Sequence, residues 1–464
     1  MRIVTLAYNE GTLLLDGLSP KEVGGLFAEG IWKPDTRVGK FRTDAFMYVE
    51  VVQLLQERLG SSFSAQVAKP AEIRWPKVDL HKPRRDQAEA ISAWLDAGGR
   101  GLVVMPTGSG KTEVALHIMA DLGLATLIVA PVRDLMYQWH DRIRQGLGVD
   151  AGIIGDRLHN LSAVTVTTYD SAAIHMAAIG ETFGLLIFDE AHHLPGGFFR
   201  EAAIMSTAAC RLGLTATPER SDGRHVDLGW LIGPEVYRRK LSEAEHLAPF
   251  EIVRIPVKLT DEERQRYDAA SRAIRAWYAL KRKEKKNYVR EDLLKEANHD
   301  TEARRVKNLM YLKESIEDRA DEKLRVLEDL FRLHPKERVL VFTGSTAMAI
   351  DVSRRFLAPT ILSHTMKKER RAVLEGFASG EFPVLIANQV LDEGIDVPAA
   401  KVAVVVGGQA STRQAKQRLG RILRPDGAAK AVLYEIVCED TREVERSRKR
   451  RRSDAYERTR HRKL

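Results

Sequence analysis

The chain has 464 residues, 44% hydrophobic and 30% charged, an ordinary globular composition with room for about three cores of roughly 150 residues each. Its apolar runs are too short to span a bilayer, no signal-peptide core precedes Asn9 and Glu10, and Cys210 and Cys438 stand without disulfide or metal-ligand spacing, so a cytoplasmic protein is expected. The net charge of +9 suggests a polyanionic partner, but Thr441 to Leu464 carries +7 of it, through nine Arg and two Lys against three Glu and one Asp, which leaves the body nearly neutral.

Residues 1–75 predict a small α+β module. Ile3 to Leu6 and Thr12 to Leu15 read as strands about the turn-prone Asn9-Glu10-Gly11. Trp32-Lys33-Pro34-Asp35 reads as a turn, and Phe46 to Leu59 as an amphipathic helix closed by Gly60. Trp32, Lys33, Arg37, Lys40, Phe41 and Arg42 suit either a nucleic-acid surface or solvated strand edges. Ser61 to Lys77, with Pro70 and Pro76, predicts a linker.

Residues 76–243 alternate apolar strands with helices, which predicts an α/β domain on a parallel sheet. The strands are expected at Leu102 to Val104, Thr126 to Val129, Val164 to Thr167, Leu185 to Phe188 and Arg211 to Leu214. Between the first strand and a helix lies Met105-Pro106-Thr107-Gly108-Ser109-Gly110-Lys111-Thr112, read as a phosphate-binding loop. Its glycines let successive N–H groups turn inward, Lys111 reaches the β and γ phosphates of ATP, and Thr112 offers its hydroxyl to Mg²⁺. The longer consensus asks for Gly where Met105 stands, which leaves the shorter helicase-type loop. In the helix Arg133 to Leu147, Leu135, Trp139, Ile143 and Leu147 recur every four residues and predict a core face.

Leu185 to Phe188 runs into Asp189-Glu190-Ala191-His192, so two carboxylates emerge at the strand edge that also carries the loop. Asp189 is expected to hold Mg²⁺, Glu190 to orient and deprotonate water, and His192 to link this site to the next strand. From Leu259 to about Leu333 a charge-rich helical stretch interrupts the alternation, which then resumes at Val339 to Phe342, Pro359 to Leu362, Val384 to Ala387, Val402 to Val406 and Ala431 to Ile436. Residues 244–464 thus predict a second α/β domain, with a helical insertion over about 260–330 and a basic tail, 441–464, read as disordered or a frayed helix. Gln417 to Arg424 reads as a helix with Arg421 and Arg424 on one face, placed to neutralise charge on a transferring phosphoryl group.

These motifs resemble superfamily two helicases, and most closely the XPB family of archaeal and bacterial repair and transcription helicases. The resemblance covers nearly the whole chain. It adds Gln87 for adenine, Pro131-Val132-Arg133 with Gln138-Trp139, Thr167-Thr168-Tyr169-Asp170-Ser171, Leu214-Thr215-Ala216-Thr217-Pro218, Val341-Phe342-Thr343, Gln389 to Pro398, and Asp227-Leu228-Gly229-Trp230-Leu231-Ile232-Gly233-Pro234. It implies two RecA-like domains, a damage-recognition module at the N-terminus, and a thumb in the helical insertion. The ATP site it implies includes Lys111, Asp189, Glu190, His192, Gln417, Arg421 and Arg424, with Gln87, Thr107, Gly108, Ser109, Gly110, Thr112, Gly394 and Asp396 about the nucleotide. Arg133, Thr168, Thr215, Ala216, Thr217, Arg220, Asp222 and Thr343 are implied in DNA contact or coupling. The implied activity is ATP-driven 3′ to 5′ movement on forked or junction DNA, by a monomer in the prokaryotic cytosol, with a partner nuclease in archaeal members. Two departures stand out: Ser221 replaces Glu in the Arg-Glu-Asp element thought to wedge the duplex, and Asp86 replaces the aromatic expected before Gln87. A DNA clamp that recruits a nuclease without unwinding and an RNA helicase are the competing readings.

Overall fold

The computed structural model describes residues 3–220, 222–240, 250–362, 364–388, 400–407, 431–451 and 461–463. Gly394, Asp396, Gln417, Arg421, Arg424 and Ser221 lie outside them. The chain divides into two units, Met1–Lys240 and Leu241–Leu464.

The first unit opens with strands β1 (Val4–Asn9), β2 (Thr12–Asp16), β3 (Lys33–Asp35), β4 (Lys40–Asp44) and β5 (Phe63–Gln66), in the order β3-β4-β2-β1-β5. Glu10 and Gly11 are both left-handed (φ 47° and 83°), which gives the β1–β2 hairpin a two-residue turn matched to strand twist. Alternation turns Leu6, Leu13 and Leu15 onto the helix Tyr48–Leu59, where Val51 and Leu55 complete a buried core. The segment expected as a turn at Trp32 to Asp35 is instead the edge strand β3, where Pro34 is tolerated because one side has no partner. Trp32 is buried, and Arg37 and Arg42 both bond Asp35, so these residues are tied into the module.

The expected linker is mostly pinned. Phe63–Gln66 pairs parallel with β1, the Ala125 N–H donates to Ala71 O (2.8 Å), and the Ile73 N–H donates to Gly123 O (2.7 Å). The module also touches helices that flank the sheet that follows. The Tyr8 hydroxyl lies 2.9 Å from the carbonyls of both Met176 and Met205, and burial pushes its pKa up to about 12. Phe46 packs against Trp230 with ring centroids 5.7 Å apart.

That sheet holds β6 (Arg100–Val104), β7 (Thr126–Ala130), β8 (Gly152–Gly155), β9 (Leu158–His159), β10 (Val164–Thr168), β11 (Leu185–Asp189), β12 (Cys210–Thr215) and β13 (Glu235–Arg238). Their order is β13-β6-β12-β11-β7-β10-β8-β9, parallel except for the β8–β9 hairpin. Strands such as Thr126–Ala130 and Leu185–Asp189 are buried at every position, because helices cover both faces of the sheet. On the helix Arg133–Leu147, Trp139, Ile143 and Leu147 are buried and Leu135 packs half-buried on the same core. The short, weakly apolar β8, β9 and β13 carry too little periodic signal to be read from sequence.

The second unit is built on β14 (Phe250–Val257), β15 (Val339–Phe342), β16 (Thr360–Ile361), β17 (Val384–Ala387), β18 (Val402–Val405), β19 (Ala431–Cys438) and β20 (His461–Lys463). The sheet is parallel, in the order β16-β17-β15-β18-β19-β14-β20. β14 was not expected; it pairs with β19 and so belongs to the sheet before the insertion begins. The insertion comprises the helices Asp261–Glu284, Arg290–Glu296, Thr301–Asp318 and Asp321–Leu333. The first is capped by Thr260, has acids at 261–263 and bases at 281–283, so its charge runs complement the helix dipole. Ile274, Tyr288, Leu293, Val306 and Met310 give the insertion a small core of its own. Over its first part the tail departs from the disordered or frayed reading, because Arg442–Arg451 forms a helix against β19; residues 452–460 lie outside the described residues. Among the described residues no helix is long and apolar enough to cross a membrane.

Candidate nucleotide site and its links to the strand ends

Parallel register brings three neighbouring strand ends together. Val104 pairs with Thr215, and Leu214 with Asp189, so the phosphate-binding loop, the Thr-Ala-Thr segment and the carboxylates leave one sheet edge side by side. The Met105 N–H donates to Thr215 O at 3.0 Å. Met105 itself is fully buried in the core, which explains how the loop accommodates a large residue where the longer consensus has Gly.

Gly108 and Gly110 adopt φ of 81° and 78°, conformations that other residues rarely hold. A Cβ on Gly110 would run into the Gln87 amide nitrogen. Gln87 Nε2 donates to Ser109 O (3.1 Å) and Gly110 O (3.4 Å), its Oε1 accepts from the Arg84 N–H (2.9 Å), and the Arg84 guanidinium also bonds Ser109 O. Gln87, only 3% exposed, therefore braces the loop from behind. The Ser109 hydroxyl donates to Pro106 O at 2.7 Å. Lys111 begins the helix Lys111–Leu122, and its ammonium lies 3.2 Å from Met105 O and 3.3 Å from Pro106 O. The Thr107 hydroxyl is buried without a hydrogen-bond partner among the described residues.

Asp189 is 8% exposed. Its Oδ2 accepts from the Trp139 indole N–H (2.8 Å), its Oδ1 from the Glu190 N–H (3.0 Å), and its carbonyl from the Tyr169 hydroxyl (2.9 Å). Burial pushes its carboxyl pKa up, opposed by the Trp139 hydrogen bond and the Lys111 charge. Glu190 sits at φ 47°, a left-handed conformation unusual for a residue with a side chain and of the kind held at functional sites. From there its Oε2 lies 3.4 Å from His192 Nδ1, which is 3.0 Å from the Thr215 hydroxyl. Thr215 Oγ1 accepts from the Thr217 N–H (3.2 Å), and Ala216 between them is buried. The His192 carbonyl accepts from Arg220 (2.6 Å), which forks onto Asp222 at 2.9 and 2.7 Å and holds that carboxyl well below the usual range.

The structure thus gathers Thr107 to Thr112, Asp189, Glu190, His192, Thr215 to Thr217, Arg220 and Asp222. It sets Arg133 and Thr168 farther along the same edge: Arg133 pairs with Asp156 at 2.8 Å, and Thr168 caps the helix Tyr169–Ile179. Thr343, in the second unit, is buried, with its N–H on Ala387 O (2.9 Å) and its hydroxyl on Ser345 O (3.2 Å). Sequence reasoning placed Trp139 in the core but missed that its N–H orients Asp189, and Arg84 gave no signal.

The donor set fits a Mg²⁺ nucleotide. Among the described residues Thr107 offers a buried unpartnered hydroxyl, Gly108 and Gly110 hold the left-handed turns that let successive loop N–H groups face a phosphate, and Thr112 and Asp189 bear hard oxygens of the kind Mg²⁺ takes beside phosphates.

Residues 80–220 match the family model for the res subunit of type III restriction enzymes, and residues 297–454 that for the ERCC3/RAD25/XPB C-terminal helicase. A curated relative, the DNA 3′-5′ translocase XPB2 of Sulfurisphaera tokodaii, is 38% identical over 97% of this chain and 100% of its own length. The DNA 3′-5′ helicase XPB of Mycobacterium tuberculosis is 32% identical over 82% of this chain and 68% of its own. Among solved structures, S. cerevisiae Dbp5 bound to RNA and ADP BeF3 has a TM-score of 0.56 at 15% identity, covering 82% of this chain and 90% of that one, a likeness of the two RecA-like α/β folds alone. With the loop, carboxylates and Thr-Ala-Thr segment on one edge, and the relatives matched along nearly the whole chain, the protein belongs to the XPB family of DNA 3′-5′ helicases and translocases.

Proposed function

We propose that the chain hydrolyses ATP to move 3′ to 5′ along DNA, opening forked or junction duplexes in nucleotide excision repair or transcription-linked DNA opening. The observation that carries this reading is the buried path from Glu190 through His192 to Thr215, which connects the carboxylate best placed to act on water with the strand end next to the phosphate loop. Lys111 leaves the loop carbonyls for the β and γ phosphates, while the loop N–H groups and Thr107 surround them. Thr112 and Asp189 would hold Mg²⁺, which would supply charge neutralisation at the phosphate oxygens. Glu190 orients the attacking water and takes its proton. Gln417, Arg421 and Arg424 are assigned to the γ-phosphate, and Gly394 and Asp396 to the nucleotide, on the motif resemblance. Arg133, Thr168, Ala216, Thr217, Arg220, Asp222 and Thr343 are assigned to DNA contact or coupling on the same ground. A partner nuclease and a monomeric state belong to this reading.

A second reading, translocation or clamping without efficient unwinding, is favoured by Ser221 in the wedge element and by the translocase name of the 38% identical relative. ATPase rates without nucleic acid, with single-stranded DNA, with forked duplex and with RNA, measured beside strand displacement on the same fork, test both. DNA-stimulated hydrolysis with displacement supports the helicase, and stimulation without displacement supports the translocating clamp. Absence of DNA stimulation would falsify both.

A further inference from the structure

Three distant segments of the second unit meet on charges at the root of the helical insertion. Lys323, in the first turn of Asp321–Leu333, is fully buried. Its ammonium donates to Val406 O at 2.6 Å and to Glu443 at 2.9 Å. Glu443, 1% exposed, accepts the Cys438 N–H on its other oxygen at 2.9 Å. Five residues before Lys323, Asp318 accepts from the Ser345 hydroxyl. The other Asp318 oxygen is buried, has no hydrogen-bond partner among the described residues, and sits where a Cβ on Gly407 would strike it. Its neighbour Glu317 accepts from the Tyr267 hydroxyl (2.6 Å), the Arg442 N–H (3.2 Å) and the Arg446 guanidinium.

Each segment held here leads to a candidate functional element. Val406 and Gly407 continue β18 into residues 408–430, which carry Gln417, Arg421 and Arg424. Ser345 caps the helix Thr346–Phe356 two residues after Thr343. Glu443 and Arg446 belong to the C-terminal helix. A buried ion pair adds little stability over apolar residues of the same volume, and its best-attested use is to specify one arrangement.

We propose that the Lys323–Glu443 pair, with Asp318, is a positioning device that ties the root of the insertion to the end of β18, from which the chain runs on in sequence toward Arg421 and Arg424, and to the Thr343 loop, so that DNA engagement reaches the hydrolysis step through it. The proposal rests on the DNA-dependent ATPase reading above.

The test compares Lys323→Met with Lys323→Met/Glu443→Gln in the full chain, by thermal melting, basal ATPase and DNA-stimulated ATPase over a DNA titration. The single variant strands a buried carboxylate and melts early; the double variant removes both charges, keeps an acceptor for Cys438, and recovers Tm. In the recovered double variant, DNA-stimulated kcat is expected to stay down by about fivefold or more, the scale of a typical coupling, with basal hydrolysis and the half-saturating DNA concentration unchanged. Stimulation that returns together with Tm overturns the proposal and makes the pair structural. Should the double variant still melt early, Asp318→Asn, which keeps an acceptor for Ser345, is read on the same scales. Lost stimulation then supports the device, and wild-type stimulation overturns it. A wild-type chain without DNA stimulation overturns the underlying reading instead.

Discussion

His192 Nδ1 lies 3.0 Å from the Thr215 hydroxyl and 3.4 Å from Glu190 Oε2. The ring is fully buried and spans the ends of two adjacent parallel strands, β11 and β12. Because its carbonyl also accepts from Arg220, a shift of His192 is felt at the carboxylate, at the Thr-Ala-Thr segment and at the Arg220–Asp222 fork together. On the proposed function, that position suits a linker between hydrolysis and DNA contact more than a participant in proton transfer.

His192→Ala removes the imidazole from that path while leaving the phosphate loop intact. DNA-stimulated hydrolysis is expected to fall about tenfold, with nucleotide affinity within about twofold. Parallel titrations of a fluorescent nucleotide and of DNA-dependent turnover check this; a collapse of nucleotide affinity would place His192 in the binding pocket instead.

Gln87 separates an adenine-reading role from a bracing one. Its amide is engaged with Ser109 O, Gly110 O and the Arg84 N–H, all backbone groups. Gln87→Ala is therefore expected to weaken ATP and GTP alike, by about 1 kcal/mol for the lost bracing hydrogen bonds, because Ser109 O keeps the Arg84 guanidinium and Gly110 O the Glu113 N–H. Competition binding with both nucleotides is the check, and a selective loss for ATP would restore the adenine role.

The phosphate loop, the Asp-Glu-Ala-His strand and the alternating α/β pattern were legible because each is a local pattern: glycines at fixed spacing, or an apolar run of strand length. β14 escaped because it opens the second sheet, separated from its partner β19 by the whole insertion, and pairing at that distance leaves no trace in a short window. Trp139 was half read. Its helical spacing identified the buried face, but a bond to Asp189 fifty residues away is tertiary information. The first part of the basic tail, Arg442 to Arg451, was misread because Arg and Lys dominate its composition, whereas Glu443 and Ser447, buried on Lys323 and Glu435, hold that helix in place.

Asp35 gives a pH prediction for the N-terminal module. Hydrogen bonds from Arg37 and Arg42 hold its carboxyl well below the usual range. A group whose folded pKa lies below the unfolded value, about 3.9, contributes stability that is present above that value and lost as pH falls toward the folded pKa. Asp35→Asn is expected to lower stability near neutral pH and to flatten its decline in acid. Urea unfolding followed by the fluorescence of tryptophans such as Trp32, at pH 7 and at pH 3, tests the sign; an equal loss at both values would remove the linkage.

The tail yields two effects that a single truncation would confuse. Ending the chain at Thr441 removes Glu443 and leaves the Lys323 ammonium buried beside Val406 O alone, a change that costs about 3–5 kcal/mol when a buried pair loses one partner. A lower DNA affinity in that truncation would report damage to the second unit. Replacing Arg448, Lys449, Arg450, Arg451 and Arg452 by Gln keeps Glu443, Arg446 and Ser447 in place and removes only charge. If the run contacts DNA phosphates, this variant keeps the wild-type Tm, and its affinity becomes less salt-dependent by about one unit of slope per lost contact. Binding isotherms at several salt concentrations, with melting curves beside them, separate the outcomes: an unchanged slope assigns the run to solubility, and a fallen Tm shows that the helix needs those charges to pack.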